Sequence, residues 1–317
     1  MPKLIIVCEN CGAEREVDEQ LAGSIMTCVN CNASIEIPRP GLQEGTVIGG
    51  FILEKQLGFG SMGEVWLARQ SAMDRKVALK LLAREFTMDS HFVERFLKEV
   101  KISAKMDHPN MVTAFDAGCD KGIYYLAITF VDGSTLEDKL EELGVFNEKE
   151  ALKIIIDIAS ALKYAWDEYQ IIHRDIKPAN IMIDRRGTGK LMDLGISKST
   201  HEEKNLTMTG TIIGTPYYMS PEQGIGERDL DFHTDIYSLG ATLYHLVTGE
   251  VPFQATTALG IVSKHITEPF PPPQDKNPEV SDECSALLEI MMAKSPSDRQ
   301  GAWNAVIEDM RQVVNGF

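Results

Sequence analysis

The segment that most constrains this chain is His173-Arg174-Asp175-Ile176-Lys177-Pro178-Ala179-Asn180, which Asp193-Leu194-Gly195 follows after a short apolar stretch. An Asp and an Asn lie five positions apart on one predicted loop, and the second Asp lies 13 positions after the Asn. This set suits a site in which one carboxylate accepts the proton of a hydroxyl group. The amide and the second carboxylate would hold a metal ion on the phosphates of a nucleotide.

Composition and charge narrow the class of protein. The chain has 317 residues, 44% of them apolar and 25% charged, and its net charge is −16. This length suits one large domain, or two lobes and a small module. The acidic balance argues against a general DNA-coating role, although a small local contact with nucleic acid stays open.

The longest uncharged apolar stretch, 236–247, is too short to span a bilayer, and the N-terminal apolar run is too short for a secretory signal. We therefore expect a cytoplasmic protein.

Four of the six cysteines form two CxxC pairs, Cys8 with Cys11 and Cys28 with Cys31. Two such turns can complete a tetrahedral shell of four sulfurs, which suits structural Zn²⁺, although the same shell also holds iron. Disulfides are a weaker interpretation in a cytoplasmic chain. Redox activity is also weaker, because no βαβ pattern surrounds either pair.

The residues around these cysteines resemble a zinc ribbon. Ala13–Val17 and Ser34–Ile37 alternate apolar and polar side chains, as short strands do. We predict a ribbon module over 1–38, which the metal folds because so short a segment has almost no core. Residues 39–50 are predicted to form a short linker.

A glycine-rich segment and a lysine follow. Leu57-Gly58-Phe59-Gly60-Ser61-Met62-Gly63 has GxGxxG spacing, which by itself is weak evidence because dinucleotide-binding folds use the same pattern. Here Glu64–Ala68 continues as β-type sequence, which favours a strand–turn–strand flap whose amides close over phosphates. Lys80 ends the apolar strand Val77–Lys80, where its ammonium requires a partner.

The order of these motifs, continued by Ser220-Pro221-Glu222, resembles the Hanks-type protein kinases, and most of all their bacterial Ser/Thr branch. The resemblance covers about residues 51 to 313. It implies an α+β, bilobal protein kinase fold with a small β-rich N-lobe (51–130), a mainly helical C-lobe (131–313) and ATP in the cleft. Leu194 replaces the usual Phe of the Asp-Phe-Gly triplet, which leaves metal binding intact because both side chains are apolar.

The resemblance also implies roles for single residues. Asp175 would orient the acceptor hydroxyl and take its proton, and Lys177 would neutralise the transferred phosphoryl group. Asn180 and Asp193 would hold Mg²⁺ (or Mn²⁺). Lys80 would pair with the α- and β-phosphates and with a helix glutamate, for which Glu99 is preferred over Glu94. The residues implied to contact ATP are Leu57, Gly58, Gly60, Ser61, Gly63, Val65, Ala78, Lys80, Thr129, Val131 and Met182. For Val65, Ala78 and Met182, a plain core position is nearly as good an interpretation.

Further residues are implied to support or regulate the site. Thr207 and Thr209 are predicted to be autophosphorylated, with the phosphates docking near Arg174, and phosphorylation in trans would need transient homodimers. His173 is expected to have a structural role. Asp235 is expected to brace the catalytic loop from a buried helix, and Arg299 to pair with Glu222.

The function that follows is transfer of the γ-phosphoryl group of ATP to Ser or Thr hydroxyls of protein substrates. Lys177 and the Gly214-Thr215-Pro216 segment indicate Ser/Thr acceptors. Two other interpretations stay open. One is a nucleotide-binding scaffold without phosphotransfer, and the other is a zinc-ribbon adaptor whose kinase part is regulatory.

Overall fold

The computed structural model describes residues 3–8, 10–18, 25–36, 42–60, 63–87, 93–94, 96, 100, 103–192 and 216–316. It contains two units, one formed by 1–93 with 115–130 and the other by 94–114 with 131–317. Among the described residues, no helix combines the length and the apolar character needed to cross a membrane.

The first unit is mostly β-structure. Its elements are β1 (Lys3–Val7), β2 (Glu14–Asp18), β3 (Ile25–Thr27), β4 (Ser34–Glu36), β5 (Val47–Ile48), β6 (Phe51–Gly60), β7 (Gly63–Gln70), β8 (Arg75–Leu82), α1 (Arg84–Thr87), β9 (Ala114–Asp120) and β10 (Ile123–Thr129). β1 pairs with β2 and β3 pairs with β4, both antiparallel. β2 and β4 correspond to the two strands predicted around the cysteines.

The ribbon has a very small apolar core. Ile6 and Val17 are buried, and Met26 and Ile35 pack against them half-buried. Because a fully buried aliphatic side chain contributes only about 1.5–3 kcal/mol, these four cannot offset the ordering of some 30 residues. The ribbon therefore needs another source of folding free energy.

The other strands of this unit form a six-stranded sheet in the order β5-β6-β7-β8-β10-β9. One face of the sheet carries its apolar core, which includes Trp66, Val77, Leu79 and Ala127. Side chains alternate across a strand, so Val65, Ala78 and Lys80 belong to the opposite face.

Residues 42–50, part of the predicted linker, pack on this sheet. Val47 and Ile48 pair with β6 as β5, and only 1% of Ile48 is exposed. The Gly49 N–H donates to Asp120 Oδ2 at 2.9 Å. Gly49 has φ 58°, and a Cβ added there would lie 2.3 Å from the Tyr125 ring, so no larger residue fits.

The second unit is mostly helical. Its elements are β11 (Gly133–Thr135), α2 (Leu136–Leu143), α3 (Glu148–Tyr169), β12 (Ile181–Asp184), β13 (Gly189–Leu191), α4 (Pro221–Gly224), α5 (His233–Thr248), α6 (Ala258–Thr267), α7 (Asp282–Met291) and α8 (Trp303–Asn315). Short 3₁₀ turns occupy Pro178–Asn180, Pro273–Asp275 and Pro296–Asp298.

α3 and α5 form the centre of this unit. The Asn147 side chain caps α3 by accepting from the N–H groups of Lys149 and Glu150. Along α3, apolar residues recur at helical spacing, and Ile155, Ile158, Ala159 and Leu162 among them are buried. Almost every residue of α5 is buried. α3 leads into the loop 170–177. β12 and β13 follow this loop in the chain, and they form a three-stranded sheet with β11 in the order β11-β12-β13.

Candidate active site and metal centre

The backbone of the catalytic loop is held from the centre of the helical unit. Asp235, in the first turn of α5 and 2% exposed, accepts hydrogen bonds from the N–H groups of His173 (2.6 Å) and Arg174 (2.8 Å). Burial raises the pKa of Asp235 above its ordinary value, and the His173 ring and these two donors partly offset that effect. The predicted brace is confirmed.

His173 links the loop to the residue that precedes Asp193. Its ring is 1% exposed; Nδ1 accepts from the Asp175 N–H at 3.3 Å, and Nε2 donates to the Met192 carbonyl at 2.9 Å. Both ring nitrogens therefore serve the backbone, which agrees with a structural role for His173.

The side chains of Asp175, Lys177 and Asn180 converge. Asn180 Nδ2 donates to the carbonyl oxygen and to Oδ2 of Asp175, at 2.8 Å in both cases. Lys177 Nζ lies 3.3 Å from the same Oδ2. Since the Asn180 nitrogen faces Asp175, Asn180 Oδ1 is the atom suited to bind a hard cation. Three of the predicted catalytic and metal-binding residues thus share one site.

The sheet register brings together three residues predicted to contact the nucleotide. Val65 lies directly across from Lys80, and Ala78 directly across from Ile128. Gly63 has φ 141°, and a Cβ there would lie 2.1 Å from the Leu81 carbonyl oxygen. Gly63 therefore lies too close to β8 for any other residue.

The remaining predicted contacts are spread over both units. Leu57 on β6 is 44% exposed, Thr129 ends β10, Val131 is buried, and Met182 on β12 pairs with Thr135 of β11. Gly58 and Gly60 lie on β6. Glu94, the alternative partner for Lys80, is exposed. Five predicted residues lie outside the described part of the chain: Ser61, Glu99, Asp193, Thr207 and Thr209.

The four N-terminal cysteines form one cluster. Their sulfurs all lie within 4.8 Å of one another, with Cys8 Sγ 3.6 Å from Cys31 Sγ and Cys11 Sγ 3.7 Å from Cys28 Sγ. A tetrahedral site with Zn–S bonds of about 2.3 Å places its sulfurs about 3.8 Å apart, so the cluster has the size of such a site. A hydrogen bond from Asn10 lowers the pKa of the Cys31 thiol to about 6, whereas burial raises the pKa of Cys8 to about 11.

A buried ion pair ties α4 to the segment after α7. Arg299 Nη1 and Nη2 donate to Glu222 Oε1 (2.7 Å) and Oε2 (2.9 Å), and the Thr234 hydroxyl donates to Oε1 at 2.9 Å. Burial opposes ionisation of Glu222, but the bonds and charge of Arg299 outweigh it and lower the Glu222 pKa. The predicted pairing is confirmed.

Sequence reasoning missed the role of Gln223. Ser220 caps α4, and Gln223 completes a capping box with it. The S-x-x-Q pattern that marks such a box was present in the sequence and could have identified this contact.

Comparison with known proteins identifies the family of this chain. The family model described as protein kinase domain matches residues 51–310. The chain therefore belongs to the protein kinase family. The solved kinase domain of Mycobacterium tuberculosis PknI superposes with a TM-score of 0.68 and 26% sequence identity, over 86% of this chain and 99% of that one.

Named relatives come from several bacteria. The serine/threonine-protein kinase PrkC of Bacillus subtilis is 36% identical over 253 residues, or 80% of this chain. The serine/threonine-protein kinase PknB of Mycolicibacterium smegmatis is 37% identical over 265 residues, or 82% of this chain. The match spans 39% and 42% of those two relatives, so this chain covers less than half of their length.

Proposed function

We propose that this chain is an ATP-dependent protein kinase that phosphorylates Ser and Thr hydroxyls. The observation that carries the proposal is the convergence of Asn180 and Lys177 on Asp175, in a loop anchored by buried Asp235. The names of the bacterial relatives support Ser/Thr acceptors.

Each residue of the loop has its own role in phosphoryl transfer. Asp175 orients the acceptor hydroxyl and takes up its proton as the new P–O bond forms and the bond to the ADP oxygen breaks. Lys177 balances the negative charge of the group in transfer. Asn180, with Asp193, would hold the divalent cation, which would neutralise charge on the phosphate oxygens. Lys80 would pair with the phosphates of ATP, and the glycines of the predicted flap would let its amides approach them.

The test compares the wild type with Asp175→Asn, using Mg-ATP and a generic acceptor protein. The amide keeps the shape of the side chain but cannot take a proton, so we expect phosphate transfer to fall by about a hundredfold or more. ATP affinity, measured by calorimetry, is expected to stay unchanged. ATP binding without transfer in the wild type would instead indicate a scaffold, and equal transfer by the two proteins would contradict the role of Asp175.

We also propose that Cys8, Cys11, Cys28 and Cys31 hold a structural Zn²⁺. The size of the sulfur cluster and the small apolar core of the ribbon support this proposal. Iron is the alternative occupant of a four-sulfur site.

A further inference from the structure

Gln223 makes two kinds of contact at once. Its Oε1 accepts from the N–H of Ser220 at 3.1 Å and from the Ser220 hydroxyl at 3.3 Å, which completes the cap of α4. Its Nε2 donates to the carbonyl oxygen of Arg174 at 3.1 Å. One amide therefore joins the start of α4 to the catalytic loop, 49 positions earlier in the chain.

Arg174 needs such a contact because its backbone is strained. Its φ is 66°, in the left-handed region, which costs a residue other than glycine roughly 1–2 kcal/mol. The Arg174 N–H is held by Asp235, at 2.8 Å. With Gln223 on the carbonyl side, hydrogen bonds fix both ends of this residue.

The carbonyl of Arg174 belongs to the peptide group that leads into Asp175. Because a peptide group is planar, the direction of that carbonyl also sets the direction of the Asp175 N–H, which donates to His173. A rotation of this plane would change ψ of Arg174 and φ of Asp175, and with them the backbone position from which the Asp175 side chain reaches Asn180 and Lys177. The Gln223 amide opposes this rotation from outside the loop.

We propose that Gln223 is a positioning residue for phosphotransfer, which aligns Asp175 by holding the Arg174 carbonyl. The inference rests on the proposed kinase activity. The Gln223 side chain would then have two roles: it caps the start of α4, and it fixes the orientation of Asp175.

Gln223→Glu is the main variant. A carboxylate still accepts from Ser220, but it has no hydrogen to donate and repels the Arg174 carbonyl. We expect kcat for a Ser/Thr acceptor protein to fall by roughly tenfold or more, because small misplacements of a catalytic group cost one to two orders of magnitude. The KM for ATP is expected to stay within about twofold, because the described bonds of the Gln223 side chain go to Ser220 and Arg174, neither of which is assigned to the nucleotide.

Ser220→Ala is the matched control, because it removes the capping hydroxyl and leaves the bond from Gln223 to Arg174. This variant is expected to unfold at a lower temperature, with kcat close to that of the wild type at a temperature where both are folded. If Gln223→Glu does not fold, Gln223→Met, which also lacks the donor, replaces it with the same expected loss of kcat.

The outcomes separate the two proposals. An active wild type with an unchanged kcat in Gln223→Glu overturns the role of Gln223 and leaves the kinase proposal standing. An equal loss of kcat in Ser220→Ala also overturns it, since the cap rather than the donor would then matter. A wild type that transfers no phosphate refutes the kinase proposal itself, and the inference with it.

Discussion

His265 on α6 illustrates how burial changes the chemistry of a single residue. It is 1% exposed, and its Nδ1 lies 2.8 Å from the Tyr237 hydroxyl. Burial, with a smaller contribution from the charge of Lys294, lowers the pKa of His265 to about 3. The folded protein therefore keeps this ring neutral at a pH at which an exposed histidine would carry a proton.

A pH dependence of stability follows. An unfolded histidine has a pKa of about 6.5, so below that pH the unfolded chain binds a proton that the folded chain does not. The free energy of unfolding should fall as the pH drops from about 6.5 towards 3, by at most about 1.4 kcal/mol per pH unit from this residue. Denaturant unfolding at pH 7 and pH 5 measures the change.

His265→Gln is the control for this prediction. It has no titratable ring, so its loss of stability between the two pH values should be smaller by about 1–2 kcal/mol, which is the histidine's share. Equal losses in the two proteins would contradict a neutral, buried His265.

At the scale of elements, the pair of Glu222 and Arg299 joins α4 to the segment that precedes α8. Both residues are 4% exposed, and two parallel hydrogen bonds join their side chains. Such a pair contributes little relative to a well-packed apolar pair, but removing one member leaves a buried charge without its partner. The loss of stability is therefore largest when one of the two residues is replaced and the other keeps its buried charge.

Arg299→Met should therefore destabilise the helical unit by about 3–5 kcal/mol in denaturant unfolding. The double variant Glu222→Gln with Arg299→Met removes both charges, and it should recover a substantial part of that loss. A double variant as unstable as the sum of the two single variants would show that the two side chains do not interact.

At the scale of the whole molecule, the ribbon and the kinase domain differ in what stabilises them. The helical unit has a large continuous apolar core around α3 and α5, whereas the apolar cluster in the described part of the ribbon has two buried members, Ile6 and Val17. Removal of the proposed metal should therefore unfold the ribbon alone.

Metal analysis of the purified chain should find one zinc ion per molecule, and none in a variant with Cys11→Ser and Cys28→Ser. Cys119→Ser is the matched control, because Cys119 is a free cysteine outside the cluster and should leave the zinc content unchanged. The unfolding transition of the kinase domain should be the same in all three proteins. Iron in the wild type, or zinc retained by the double variant, would contradict the proposed site.

Patterns in the sequence predict the features that depend on neighbours along the chain. The spacing of Cys8 and Cys11 predicts a metal-binding turn, the periodicity through Ile155 and Ile158 predicts α3, and the pattern from His173 to Asn180 predicts the catalytic loop. Local patterns suffice there because turn geometry and helical periodicity act over a few residues. The family resemblance added the partners of Asp235 and Arg299.

The folded structure shows how groups far apart in the chain share hydrogen bonds and close contacts. It showed that the Gln223 amide reaches Arg174, that Ile48 before the predicted domain boundary is buried in the sheet, and that Gly63 lies against the backbone of β8. These contacts join residues far apart in the chain. These contacts depend on how the elements pack and on which buried polar groups then need a partner. Patterns of neighbouring residues predict neither the packing nor the pairing.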